Sequence, residues 1–303
     1  MTKKDFIALS DFSTTELTEI LQLAQKLKAK PVQPDLLPGK QLAMIFAKNS
    51  TRTRVSFEVG INQLGGSAVV MHAEQMQLGR GETIADTAKV LSRYVDLIMI
   101  RADQHSELVE FAQHATVPVI NGLTDYNHPC QLMADLLTFI ELRGDLSGKT
   151  ICYAGDGNNM CNSWLNAARI FDFKLKLAVH ESYLPDAKLL ANALDSHNVE
   201  LFYDLAEAAQ DADLITTDTW VSMGDANAKQ RLKDFAFLQV NQEIMQLAKA
   251  DCLFMHCLPA HRGEEVSSSV IDGQQSVVFQ EAENRLHAQK AIMLYLMQNY
   301  DAS

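Results

Sequence analysis

Long hydrophobic runs are missing from this chain, and with them the mark of a transmembrane helix, which needs about 18 or more apolar residues in succession. Positive charge is also scarce: 26 Lys and Arg against 38 Asp and Glu leave a formal net charge of -12. Neither a nucleic acid nor an anionic membrane is an expected partner, since both call for a broad basic surface. A few local arginines can still hold a small anion inside an acidic protein. Cysteine is sparse and odd in number (Cys130, Cys152, Cys161, Cys252, Cys257), and nothing resembles a disulfide framework. The opening Met1-Thr2-Lys3-Lys4-Asp5 leads to no apolar h-region, and no Arg-rich, acid-poor transit segment follows. The expected location is a reducing cytoplasm. Solenoid repeats and low-complexity tracts are absent too.

What is present reads as a globular enzyme-sized chain. Its 303 residues exceed the usual span of one hydrophobic core, which predicts two domains. Ser13-Thr14-Thr15-Glu16 has the form of a capping box, and Leu17, Ile20, Leu21, Ala24 and Leu27 then recur at helical spacing up to Pro31. Strands are expected at 41–47, 67–71, 97–100 and 117–120, with helices at 50–64, 84–94 and 131–142. After the polar link at 144–149 the pattern restarts, with strands at 150–154, 174–179, 214–216 and 252–255 and a helix at 162–171. This alternation predicts an α/β fold: two domains, each a parallel sheet flanked by helices in a Rossmann-like manner and joined by interdomain helices. The expected division is 1–145 and 146–285, with a last helix from Arg285 onward packing back on the first domain.

Five stretches carry chemistry. Ser50-Thr51-Arg52-Thr53-Arg54 follows a buried strand and opens a helix, so hydroxyls, free backbone N–H groups and guanidinium groups meet where the helix dipole is positive. Phosphate is the anion that suits such a place. His128-Pro129-Cys130-Gln131 falls in the loop after the fourth strand, on the side where open α/β sheets place ligands. Gly155-Asp156-Gly157-Asn158-Asn159-Met160 is half of a dinucleotide fingerprint, but Met160 stands where the third glycine belongs. A tight turn is the plainer reading. Asp218-Thr219-Trp220-Val221-Ser222-Met223-Gly224 reads either as a mobile lid or as a surface loop with Trp220 packed beneath it. In His256-Cys257-Leu258-Pro259-Ala260-His261, no Cys-x-x-Cys pair supports zinc, and the Leu-Pro bond is a candidate for the cis form.

Together these stretches resemble the aspartate/ornithine carbamoyltransferase family. The 50–54 stretch is similar to the carbamoyl phosphate signature common to the family, and the stretches at 128, 218 and 256 resemble its ornithine branch. The likeness runs from the first helix to Glu281-Ala282-Glu283-Asn284-Arg285. It implies that Ser50, Thr51, Arg52, Thr53 and Arg101 hold the phosphate, with Gln77 reaching a donor site of a neighbouring subunit. Arg101, His128 and Thr53 would polarise the carbamoyl carbonyl, while Gln131, Arg285 and the carbonyls of Cys257 and Leu258 orient its amide. Asn159, Asp218, Ser222 and Met223 would bind the amino-acid end of L-ornithine, with Cys257 against the reacting nitrogen. Arg101, His128, Gln131, Cys257 and Arg285 are thus the implied catalytic set. The resemblance further implies citrulline and phosphate as products, no metal or other cofactor, and a homotrimer or a multiple of trimers. Whether arginine is made or broken down is open. A dinucleotide-dependent oxidoreductase and a non-catalytic ligand-binding protein are the rival readings, because fold alone does not fix function.

Overall fold

A computed structural model describes residues 3–76, 81–221 and 227–300. The chain divides into two compact units, one of residues 1–137 with 284–303 and one of residues 138–283. Among the described residues no helix is long and apolar enough to cross a membrane.

The first unit begins with α1 (Thr14–Ala29), whose capping box forms as expected. The Ser13 hydroxyl accepts from the Glu16 N–H at 3.3 Å, and the Glu16 carboxylate accepts from the Ser13 N–H at 2.9 Å. Leu17, Ile20, Leu21, Ala24 and Leu27 are all buried, so the helical spacing is the core face. There follow β1 (Gln41–Phe46), α2 (Thr51–Gln63), β2 (Ser67–His72), α3 (Ile84–Leu91), β3 (Leu97–Arg101), α4 (His105–His114), β4 (Val119–Leu123) and α5 (Pro129–Arg143). The sheet order is β2-β1-β3-β4, parallel throughout. One face buries Ala43, Ile45, Ile98, Ile100 and Val119 against helix residues Ala88, Leu108, Phe111 and Ala112.

The second unit contains β5 (Thr150–Gly155), α6 (Asn159–Phe171), β6 (Lys174–Val179), α7 (Ala187–Leu194), β7 (Val199–Phe202), α8 (Leu205–Ala209), β8 (Leu214–Thr217), α9 (Ala228–Phe235), α10 (Gln242–Leu247), β9 (Leu253–His256) and α11 (Ser268–Ile271). Its sheet, β7-β6-β5-β8-β9, is also parallel. A continuous apolar core runs through Ala154, Ile215, Trp220, Phe235 and Phe254. The final helix, α12 (Val278–Gln298), leaves this unit and returns to the first.

Several local expectations shift for identifiable reasons. The fourth strand begins at Val119 rather than 117, because Pro118 has no N–H to give the ladder. The sixth helix starts at Asn159, three residues early, because Asn158 caps it. The last helix begins at Val278 instead of Arg285, which places Arg285 inside a helix. The third helix ends at Leu91, where the Ser92 hydroxyl turns back to the Ala88 carbonyl at 2.7 Å. Helices α4 and α7 to α11 and strand β7 lay outside the sequence reading; most are four to eight residues long, too short to display a period.

Each sheet reverses its winding direction once. In the first unit β2 and β3 lie on opposite sides of β1, and in the second β6 and β8 lie on opposite sides of β5. Loops leaving the carboxyl ends of the strands at such a switch point diverge and open a crevice. The switch points therefore fall after β1 and β3, and after β5 and β8.

Helix α12 comes close to α2 at Gly60, where an added Cβ would meet Lys290 Cγ and Met293 Cε, each at 3.2 Å. Lys290 is fully buried there. Its ammonium donates to the Pro31 carbonyl and, at 2.9 Å, to Gln63 Oε1. Burial pulls its pKa down to about 8. The unfolded chain, with a normal lysine, thus binds more protons between pH 8 and the usual value near ~10.4, and stability contributed by this site rises with pH across that window. Melting curves at pH 8 and pH 10 should show the wild type gaining on Lys290→Met; parallel shifts would dismiss the titration.

Candidate active site

The first switch point gathers the phosphate-type residues. Ser50 caps α2, accepting from the Thr53 N–H at 3.3 Å, and α2 points its N-terminus out of the sheet just beyond β1. Arg101 ends β3 in direct register with Phe46 of β1. Its Nη1 donates to Ser50 Oγ at 3.2 Å and to Thr53 Oγ1 at 3.4 Å. Thr51, Arg52 and Arg54 stand exposed on the opening turn, and Arg54 also meets Glu58 at 3.4 Å. A cavity of about 220 Å³ is lined by Phe46, Asn49, Ser50, Thr51, Arg54 and His72. Asn49 and His72 had no signal in the sequence, as neither belongs to a motif.

Beneath that turn lies a buried polar cluster. Arg285, on α12 and 4% exposed, donates through Nη2 to Thr53 Oγ1 at 3.0 Å and through Nη1 to Gln131 Oε1. The same Nη1 stands 3.4 Å from His128 Nε2. His128, at the entrance to α5, is held well below the ordinary histidine pKa, first by burial and then by the Arg285 and Arg101 charges. It is a neutral imidazole in this setting, with one N–H to give. Gln131 donates in turn to Asp135, one turn further along α5, at 2.8 Å. Ser50, Thr53, Arg101, His128, Gln131 and Arg285 are therefore one connected network, as an anion site needs. Asp135 was missed, although its four-residue spacing from Gln131 was a usable signal.

The second switch point gathers an acid, an amide and a thiol. Asn158 caps α6, its Oδ1 accepting from Met160 N–H at 2.9 Å and Cys161 N–H at 3.2 Å, while its Nδ2 donates to Asp218 Oδ2 at 2.7 Å. The other oxygen of Asp218 accepts from the Cys257 thiol at 3.0 Å and from the Thr219 N–H at 2.7 Å. Asn159 is the first residue of α6, next to the cap. The turn carrying Cys257 is braced from behind. Its Leu258-Pro259 bond is cis and Leu258 has φ of 55°. The Leu258 N–H donates to His256 Nδ1 at 2.9 Å, and His256 Nε2 faces Glu265 Oε1 at 3.0 Å. The donor atoms of Asp218, His256 and Cys257 lie within 4.8 Å of one another. Both ring nitrogens of His256 are engaged with other groups, Leu258 and Glu265, and within the trio it is the Cys257 thiol that donates to Asp218. Gln77, Ser222 and Met223 lie outside the described residues.

The glycines that suggested a dinucleotide have a structural reason. Gly155 has φ of 136°, and an added Cβ on Gly157 would meet the Leu184–Pro185 backbone at 2.3 Å. Asp156 in the same turn binds Arg231 at 2.5 Å, and Arg231 also holds the Trp220 carbonyl at 2.9 Å. Trp220 is buried against Phe235, which agrees with a tryptophan packed beneath its loop. All five cysteines are thiols outside any disulfide. Burial pushes Cys130, Cys152 and Cys252 up to about 12 and raises Cys161 as well, leaving Cys257 as the half-buried thiol.

The protein is thus a two-unit α/β chain with arginines and hydroxyls linked at a helix N-terminus in one unit and a carboxylate–thiol cluster in the other. The carbamoyl-phosphate binding domain of the aspartate/ornithine carbamoyltransferase family matches residues 4–141, and that family's aspartate/ornithine binding domain matches residues 147–296. An ornithine carbamoyltransferase of Acinetobacter baumannii is 54% identical over 303 residues, covering 98% of each chain. The solved ornithine carbamoyltransferase from Pyrococcus furiosus superposes with a TM-score of 0.94 at 48% identity over 99% of each chain. An anabolic ornithine carbamoyltransferase from Campylobacter jejuni gives 0.92 at 39% identity, covering 98% of this chain and 100% of that one. The chain belongs to the aspartate/ornithine carbamoyltransferase family.

Asn158 does two jobs, capping α6 and steadying Asp218. Asn158→Ala should cost about 1 kcal/mol of stability from the lost cap, read as a lower denaturant midpoint. An unchanged midpoint would show that the cap contributes nothing.

Proposed function

We propose that this protein transfers the carbamoyl group of carbamoyl phosphate to the side-chain amine of L-ornithine, releasing L-citrulline and phosphate. The observation that carries the reading is the buried Arg285–Thr53–Arg101 network under a capped helix N-terminus. Relatives named ornithine carbamoyltransferase over nearly the full chain support the choice of acceptor.

The chemistry follows from charge. The amine attacks the carbamoyl carbon, the bond from that carbon to the phosphate oxygen breaks, and the pair leaves with phosphate. Negative charge grows on the carbonyl oxygen and then on the departing group. Arg101 and neutral His128 donate at the first place, and Ser50, Thr51, Arg52 and Thr53 at the second. One preorganised donor of this type is worth about 3 kcal/mol. Gln131 and Arg285 orient the carbamoyl amide, with the carbonyls of Cys257 and Leu258 and the side chain of Gln77 completing the assignment.

The acceptor poses a different problem. A lysine-like amine with pKa ~10.4 is neutral in about one molecule in 2,500 at pH 7. Desolvation favours the neutral amine that attacks. Asp218 complements the α-ammonium, and Asn159, Ser222 and Met223 contact the amino-acid end. An aspartate acceptor would need extra cations for its second carboxylate, and the Cys257-Leu258-Pro259-Ala260 turn has none. Cys257, already hydrogen-bonded to Asp218, is placed to relay the amine's proton.

The assembly we propose is a homotrimer. Val55 and Val59 on one face of α2 and Val69 on the edge strand β2 are between 38% and 52% exposed, an apolar surface that suits burial against a second copy. Five thiols outside any disulfide favour a reducing, cytoplasmic location.

Initial rates of carbamoylation with ornithine, putrescine and aspartate test the central reading. Ornithine should be fastest, and a faster product from aspartate would sink it. Arg285→Met should reduce kcat/KM about a hundredfold or more. Cys257→Ala should lower turnover and move the pH–rate profile; an unmoved profile would take the thiol out of proton transfer. Val59→Glu should shift the sedimenting species away from three chains of 33.7 kDa toward one. Sedimentation of the wild type as a monomer would refute the trimer.

A further inference from the structure

Asp135 is a fully buried carboxylate in the first unit, on α5, and the transfer chemistry above gives it no part. It accepts from Gln131 Nε2 at 2.8 Å, while the other end of that amide, Oε1, accepts from Arg285 Nη1. Gln131 is fully buried as well. A glutamine amide has an acceptor end and a donor end of nearly equal size, so its orientation is set by its partners alone. Turned around, Gln131 would point its oxygen at a carboxylate and its NH2 at a guanidinium, two like-against-like contacts between buried groups. The acid at one end and the arginine at the other therefore lock a single orientation.

We propose that Asp135 is a specificity-determining positioning residue, which holds the Gln131 carbonyl toward Arg285 so that the site presents an acceptor to the carbamoyl NH2 of the donor. This deepens the function proposed above and rests on it. A carbamoyl group differs from acetyl and from bare phosphate in having two N–H donors. An acceptor fixed in place recognises that difference, whereas an amide free to turn does not. An ionised carboxylate only accepts, whereas the amide of an asparagine both accepts and donates. In Asp135→Asn the new amide accepts either orientation of Gln131, so the acid end of the lock is lost and only the Arg285 contact still favours the native one.

The experiment compares carbamoyl phosphate with inorganic phosphate, which lacks the carbamoyl group. Asp135→Asn should raise the KM for carbamoyl phosphate about tenfold, the loss expected for one weakened hydrogen bond. Competitive inhibition by phosphate should stay the same or tighten, because removing a negative charge can only help an anion. In a Gln131→Ala background the substitution should have no further effect on KM, since the residue it acts through is gone. Asp135→Ser serves the same comparison should the asparagine variant not fold. Parallel weakening of phosphate and carbamoyl phosphate, an unchanged KM, or a full effect in the Gln131→Ala background would each reduce Asp135 to a structural acid and overturn the proposal. Absence of citrulline from the wild-type chain would instead refute the transferase reading, before Asp135 is touched.

Discussion

A guanidinium buried to 4% exposure needs partners for its charge, and both terminal nitrogens of Arg285 find them, in Thr53, Gln131 and His128. Those three residues come from α2, from α5 and from the loop that precedes α5. One positive charge thus fixes the relation of two helix starts to each other and to α12. It also helps to hold His128 neutral. An imidazole so placed donates a hydrogen bond without adding another charge to a site that already contains two arginines. The rest of this polar network depends on this grip.

The two sheets differ in size and share no motif, yet each places its polar residues where the winding turns over. Ser50 and Arg101 flank the reversal in the first unit, and Asn158 and Asp218 flank it in the second. The cause is geometric. Elsewhere a loop is covered by the next crossover helix, but at a reversal the helices depart to opposite faces and leave the strand ends open. Function collects there because backbone N–H groups and side chains remain accessible between rigid strands.

Much of this was readable from local sequence and much was not. The Ser13–Glu16 box and the Leu17–Leu27 stripe are short-range features, and both formed as their spacing dictates. The phosphate-type turn was legible because a hydroxyl cap followed by arginines is a local pattern as well. Arg285 was named through family likeness, but its place inside a helix, and its partners 154 and 232 residues away, are long-range facts. Asp135 and Asn158 were overlooked for opposite reasons. Asp135 looked like one more helical polar residue, and Asn158 stood beside an equally plausible Asn159. The Gly155–Gly157 pair was read as a tight turn, and close backbone approach demands glycine there whether or not a cofactor is present.

The order of synthesis gives the return of α12 a further consequence. The second unit lies wholly between the two stretches of the first, so a ribosome finishes it before delivering the helix that bears Arg285. A nascent chain stopped short of that helix has Arg101 bound to Ser50 and Thr53 but lacks the second cation, which joins Thr53 to Gln131. The buried polar network of the first unit is therefore completed only when the last helix arrives. A translation product cut at its end would be left with an intact acceptor unit and an unfinished donor unit.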